Sequence, residues 1–211
     1  VESLLTWADD ARARVDELSA PASDPEVVER ELAAAQSRVL DVGARLTKAR
    51  TRLARELAAG VNEELHALAM PDATLDIDLE ATKPTSHGCE TVVFRLQPHP
   101  HAPARPLGQG TSGGELSRVM LGLELMLGRT EASSTFIFDE IDAGIGGQTA
   151  TEVGARLKRL AKSRQVIVVT HLAQVAAFGD QHLVIEKTDG TTSVREVTGA
   201  EREAELTRMM G

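Results

Sequence analysis

Tyrosine is absent from this 211-residue chain, tryptophan occurs once and phenylalanine four times. A base-stacking platform for single strands needs successive aromatic faces, so that class of site is excluded. The core has to be built from Leu, Val, Ile and Ala. Cysteine occurs once, at Cys89, which excludes an internal disulfide framework and fits a reducing compartment. No apolar run reaches the ~20 residues that cross a bilayer, and the first residues carry acid where a secretory signal would carry base. A cytoplasmic protein with no membrane partner is the expectation. Positive charge is also in short supply: 23 Lys and Arg against 32 Asp and Glu leave a formal net charge of -9. That balance argues against a surface that coats DNA, because non-specific affinity comes from clustered cations neutralising phosphates. Any DNA contact is local or lies outside the chain. The last absence is a motif. No GxxxxGK[ST] occurs, so no loop is present to wrap the α- and β-phosphates of a nucleotide.

What is present divides near Met70 and Pro71, giving an arm segment over 1–70 and a second region over 71–211. Leu4, Leu5, Ala8, Ala11, Val15 and Leu18 share one helical face, and SAPASD then breaks the pattern, predicting a turn over 19–24. Ser23 with Glu26 has capping-box spacing and Pro25 suits a first helical turn. The helix predicted from Pro25 to Ala69 carries Val28, Leu32, Ala35, Val39, Val42, Leu46, Ala49 and Leu53 at heptad spacing, and then steps of four through Leu57, Val61 and Leu65, with Leu68 following. At 1.5 Å per residue it is about 65 Å long. Either a helical hairpin packs on itself, or this is the end of a coiled-coil arm whose partner strand lies elsewhere. Arg38, Arg45, Lys48, Arg50, Arg52 and Arg55 make the helix locally basic, as a solvated face or a DNA-contacting arm. Because Val1 opens in helix-like sequence, the chain is expected to be a piece of something longer.

After Pro71 the period changes. Leu75, Ile77 and Leu79 alternate with polar residues, and Thr91–Leu96 reads as a second strand beyond a turn at Ser86–Cys89. Pro98–Gly110 is a proline-rich loop, whose prolines argue against a metal site among His87, Cys89, His99 and His101. Helices over Glu115–Arg129 and Gln148–Lys162 alternate with apolar runs at Thr135–Asp139 and Gln165–Thr170. Such alternation predicts an α/β fold with parallel strands covered on both faces. Short strands at His182–Lys187 and Ser193–Val197 are expected at the sheet edge, and Glu201–Met210 as a closing helix.

The chemistry falls at the ends of these elements. Ligands of open parallel sheets bind beyond the carboxyl ends of the strands, where Asp139 and Glu140 sit. Asp139 suits Mg²⁺, directly or through water, and Glu140 suits orienting or deprotonating a water that attacks a γ-phosphate. Strand-end acids also serve simply as caps of the next turn. His171 ends the second run, where an imidazole can reach the same phosphate or merely satisfy a turn. Upstream, Ser112 offers a hydroxyl, Gly113 and Gly114 leave backbone amides open to an anion, and the helix beginning at Glu115 presents its positive end. A capping box between Ser112 and Glu115 accounts for the same residues.

Together, GTSGGELSRVMLGLEL, FDEIDAGIGG, VIVVTHLAQVAAFGD and ELTRMMG resemble the C-terminal lobe of the RecN family, bacterial SMC-like proteins of double-strand-break repair. The resemblance covers nearly the whole chain. It implies an ABC-type ATPase head in which Ser112, Gly113, Gly114 and Glu115, preceded by Thr111, form the signature that touches ATP held by an opposing head. Asp139 would be the Walker B acid for Mg²⁺, Glu140 the catalytic glutamate and His171 the switch histidine. The implied partners are an N-terminal lobe of the same protein carrying Walker A, a second head in a homodimer, and DNA, in a cytoplasmic, nucleoid-associated protein. Alone, the chain is expected neither to bind nor to hydrolyse ATP. Thr111 stands where many ABC proteins have Leu, Ala173 where the family often has Pro, and Gly146 where an aspartate is common, while Asp142 lies too close to Glu140 to replace that aspartate. A head lobe of another SMC, Rad50 or RecF relative and a non-catalytic assembly module are the alternative readings.

Overall fold

The computed structural model describes residues 2–19, 25–127 and 134–211. The turn expected over 19–24 and the Ser23–Glu26 capping box fall almost wholly outside them, as do the last two residues of the helix expected to run to Arg129. Val1–Ala49 with Ala81–Glu90 form one compact unit, and Arg50–Glu80 with Thr91–Gly211 the other.

The first unit holds α1 (Glu2–Ser19) and the first part of α2, a helix of 43 residues from Pro25 to Ala67. Its apolar stripe is not buried: Val28, Leu32, Val39 and Val42 are exposed, and so are Trp7 and Val15 of α1. Arg38, Arg45, Lys48, Arg52 and Arg55 are exposed as well.

In the second unit the same helix becomes a core element. Val61, Leu65 and Leu68 are fully buried, which is where the heptad steps give way to fours. The helix ends in a Schellman motif: Ala69 takes φ 61°, and the Met70 amide donates back to the Leu65 carbonyl at 3.0 Å. Met70 and Leu65 share one apolar cluster, the contact that usually accompanies this cap, and Pro71 cannot continue the helix. The Asn62 side chain then fixes the next strand, accepting from the Leu75 amide at 2.7 Å and donating to its carbonyl at 3.1 Å.

That strand, β1 (Thr74–Thr85), forms a three-stranded sheet with β2 (Gly88–Gln97) and β3 (Arg105–Pro106), in the order β1-β2-β3. The loop expected over Pro98–Gly110 thus contains a short strand. Next come α3 (Gly113–Leu127), β4 (Thr135–Phe138), α4 (Gly147–Ala161), β5 (Gln165–Val168) and a four-residue helix α5 (Ala173–Ala176). Strands β4 and β5 are parallel, with Phe138 opposite Val168. Phe138, Leu121, Ile141, Val153, Leu157 and Val175 form the main core, with Phe136, Val166 and Val168 packed against it.

Two expectations are corrected here. The parallel strands are covered on one face only: Ile137 is 69%, Val169 51% and Ile167 46% exposed on the other. TFIF and QVIV are therefore apolar on both faces while this chain supplies helices for one. Also, β6 (Leu183–Thr188) and β7 (Thr191–Glu196) do not extend that sheet; they pair with each other as a separate antiparallel ribbon, before α6 (Gly199–Met210).

Candidate functional site

Parallel pairing of β4 and β5 brings their carboxyl ends level, so Asp139 and Glu140 leave one strand beside the exit of Val169, Thr170 and His171 from the other. The Val169 amide still donates to the Phe138 carbonyl, at 3.0 Å. Asp139 and Glu140 are exposed, and Asp139 Oδ1 accepts the Glu140 amide at 2.9 Å. Glu140 has φ 56°. A non-glycine residue in the left-handed region costs of the order of 1–3 kcal/mol and is held only by its surroundings.

Those surroundings come from α3. Ser117 Oγ donates to the Asp139 carbonyl at 2.8 Å. Arg118 is buried and reaches past Glu140 to donate to the carbonyls of Ile141 at 3.2 Å and Ala143 at 3.1 Å. Burial pulls its guanidinium below the usual range, with Glu115 partly offsetting the shift. Gly114 lets the first turn of α3 lie against this loop, since a Cβ there would stand 2.8 Å from the Glu140 carbonyl oxygen. At Gly113 a Cβ would stand 2.5 Å from Glu140 Oε2. The signature glycines and the candidate catalytic acid are thus immediate neighbours within one lobe.

Ahead of them, Ser112 and Glu115 close the capping box: the Glu115 amide donates to Ser112 Oγ at 3.3 Å, and the Ser112 amide to Glu115 Oε2 at 3.1 Å. Ser112 and Gly113 are exposed while Thr111 is half-buried, so the cap faces outward. The cap and a phosphate contact are compatible, because Ser112 keeps its hydroxyl proton to donate.

His171 is tied to β4's loop by Asp142. The Asp142 side chain is 3% exposed and the His171 side chain 73%. Asp142, Thr170, Ser117 and Arg118 are functional neighbours that periodicity and spacing passed over. A charged residue inside the apolar stretch of α3, and a second acid two residues after Glu140, were the available signals.

The donor set suits Mg²⁺. Asp139 presents hard carboxylate oxygen, and among the described residues no three His, Cys, Asp or Glu side chains converge to form a cage. A cation bound through one carboxylate, phosphate and water is the arrangement Mg²⁺ favours. Among the described residues no helix is long and apolar enough to cross a membrane.

No family model matches the chain. The DNA repair protein RecN of Streptomyces coelicolor is 47% identical over 182 residues, 78% of this chain and 32% of that protein. RecN of Mycobacterium tuberculosis H37Rv is 39% identical over 100% of this chain and 40% of its own length, and RecN of Deinococcus radiodurans 38% identical over 100% and 38%. The chain therefore spans about two-fifths of its relatives or less. Among solved structures, the Smc head domain with a coiled coil and joint from Pyrococcus yayanosii matches with a TM-score of 0.56 at 21% identity, covering 100% of this chain and 43% of that one. An Smc head with an extended coiled coil from Pyrococcus furiosus, bound to the C-terminal domain of ScpA, gives 0.51 at 20%, covering 99% and 54%. The α/β fold is that of an Smc head domain with a coiled-coil segment. By sequence identity along its whole length, and by a fold that agrees with it, the chain belongs to the RecN family.

Proposed function

We propose that this chain is the C-terminal lobe of an ATPase head in a RecN-type DNA repair protein, and that it contributes to two composite nucleotide sites between paired heads. The observation that carries the reading is the meeting of three loops: the N-terminus of α3, the end of β4 with Asp139 and Glu140, and the end of β5 with His171. In one site Asp139 holds the cation, Glu140 orients the attacking water and accepts its proton, and His171 faces the γ-phosphate. Mg²⁺ held by Asp139 would supply neutralisation of phosphate charge. In the other site Thr111, Ser112 and the amides of Gly113 and Gly114 meet the phosphates of ATP held by the opposing head, with Glu115 holding the cap.

A lobe with GxxxxGK[ST], from the part of the protein that its relatives carry beyond this match, supplies the phosphate loop and covers Ile137, Ile167 and Val169. DNA binds the complete protein, a second head completes each site, and the exposed stripe of α2 pairs with the other strand of the arm. By itself the lobe neither binds ATP measurably nor hydrolyses it.

The test is Glu140→Gln in the full-length protein. Amide oxygen cannot take the proton, so turnover should fall at least ~100-fold while ATP stays bound and the heads stay paired. Wild-type turnover in this variant overturns the reading.

A further inference from the structure

Two donors and a ring nitrogen converge on one oxygen of Asp142. Its Oδ2 accepts from Thr170 Oγ1 at 2.5 Å and from the His171 backbone amide at 3.0 Å, and lies 3.1 Å from His171 Nδ1. The carboxylate is held deep in the lobe, yet the imidazole it touches is mostly open to solvent. A carboxylate oxygen can only accept, so a hydrogen bond across this 3.1 Å approach needs the proton on Nδ1. In the neutral ring Nε2 is then the unprotonated nitrogen, an acceptor that meets a phosphate oxygen through a bridging water donating to both. Thr170 reinforces the arrangement, because its Oγ1 also accepts the Leu172 amide at 3.1 Å, which fixes the backbone on the far side of the histidine.

The turn that carries Asp142 is itself immobilised. Arg118 holds the carbonyls on either side of it, at Ile141 and Ala143. The carboxylate therefore has a fixed position from which to aim the ring. A surface histidine without such a partner populates both tautomers and several rotamers.

We propose that Asp142 is a positioning residue for His171, setting its tautomer and heading so that Nε2 is presented beyond the carboxyl ends of β4 and β5. The proposal rests on the reading that His171 faces the γ-phosphate only for its effect on turnover; the tautomer itself is independent of that reading. Asp142 touches no reacting atom.

Two measurements on the full-length protein test it. With ¹⁵N-labelled histidine, and His171 assigned by its loss in His171→Ala, the wild-type ring should carry its proton on Nδ1, and Asp142→Ala should move it chiefly to Nε2. In steady-state ATPase assays Asp142→Ala should lower kcat by about 10- to 100-fold, the usual cost of removing a partner that orients a functional imidazole. KM for ATP should stay within about threefold, and adding Asp142→Ala to His171→Ala should cost less than about twofold more. A purely structural role would instead multiply the two losses. Wild-type kcat with an unchanged Nδ1–H signal in Asp142→Ala overturns the proposal, as does a multiplicative loss. If His171→Ala turns over normally, the γ-phosphate reading fails while the ¹⁵N result still decides what Asp142 does. Should Asp142→Ala not fold, Asp142→Asn keeps an acceptor oxygen in place: Nδ1–H should persist, and its reversal would overturn the proposal.

Discussion

Adding one methyl group at Gly114 should damage both stability and turnover, whereas the same addition at Gly113 should damage turnover alone. At Gly114 the new Cβ would lie 2.8 Å from the Glu140 carbonyl oxygen, 3.0 Å from the Ala143 Cβ and 3.2 Å from Arg118 Nη1. The first of these is backbone in a conformation that already stores strain, so it has little freedom to yield. Overpacking of this kind costs about 1–3 kcal/mol. Replacing glycine by alanine in a helix returns up to about 1 kcal/mol, and a firm backbone clash belongs at the upper end, so the net loss is about 2 kcal/mol. For a domain of this size that is a fall in Tm of roughly 4–8 °C. At Gly113 the obstacle is Glu140 Oε2, at 2.5 Å, the free end of a flexible side chain. It can swing aside, so Gly113→Ala should leave Tm unchanged or raised by the helix term. Either substitution displaces Glu140 by enough to cost about 100-fold in turnover, the usual penalty for a misplacement near 1 Å. Thermal unfolding and steady-state ATPase of the full-length protein read both quantities. Equal Tm losses for the two variants, or wild-type turnover in either, would refute the argument that α3 packs directly on the Glu140 loop.

Two further outcomes follow from the second unit. Glu64 receives Arg156 Nε at 2.8 Å and is paired with Arg159, its own side chain being 15% exposed. Burial alone would raise its pKa, but the hydrogen bonds from Arg159 and Arg156 outweigh that and hold it below the ordinary 4.5. Glu64→Gln should cost about 1–3 kcal/mol at neutral pH. Because the folded carboxyl titrates lower than the unfolded one, this contribution is complete above about pH 4.5 and is lost as pH falls through the folded pKa. The gap between wild type and Glu64→Gln in urea unfolding should therefore close on acidification, and a gap that widens would contradict the pairing. On the bare sheet face, Ile137→Asp should cost the full-length protein about 2–3 kcal/mol or more, since a covering lobe would bury that side chain. An effect under about 0.5 kcal/mol, ordinary for a surface site, would mean that nothing covers it.

Much of the second unit could be read from periodicity. The stepped stripe Leu57, Val61, Leu65 and Leu68 located the part of α2 that enters a core, and TFIF and QVIV located β4 and β5. What could not be read was which faces are covered by this chain, because a strand apolar on both sides has the same sequence whether its second cover comes from its own helices or from another lobe. The short β3 escaped detection for a different reason: two residues, Arg105 and Pro106, carry no period at all. At the site, glycines and acids at element ends pointed to Ser112, Asp139, Glu140 and His171. Asp142 and Arg118 were hidden because their roles depend on contacts across 22 or more positions, with Arg118 bonding to Ile141 and Ala143 and Asp142 to Thr170 and His171. Spacing along one element shows that the two residues are there but not what they bond to.

Gly146, where the family resemblance led to the expectation of an aspartate, offers no side chain for a contact. Gly146 is fully extended at φ -170° and ψ -178°, makes no side-chain cap, and a Cβ there would meet nothing within 4 Å. The bonds that tie this loop to its neighbours lie upstream. Ser117 holds the Asp139 carbonyl, Arg118 holds those of Ile141 and Ala143, and Asp142 between them holds His171. Both donors belong to α3, whose N-terminus is capped by Ser112. A shift of α3 as a rigid helix would have to break these bonds or carry Glu140 and Asp142 along with it. Breaking them would leave the buried guanidinium of Arg118, whose Nε already has no partner, without the acceptors of Nη1 as well, at a cost of about 1–3 kcal/mol for each group left unsatisfied. Moving together is the less costly course, so a displacement of α3 should carry the loop of Asp139–Ala143 with it.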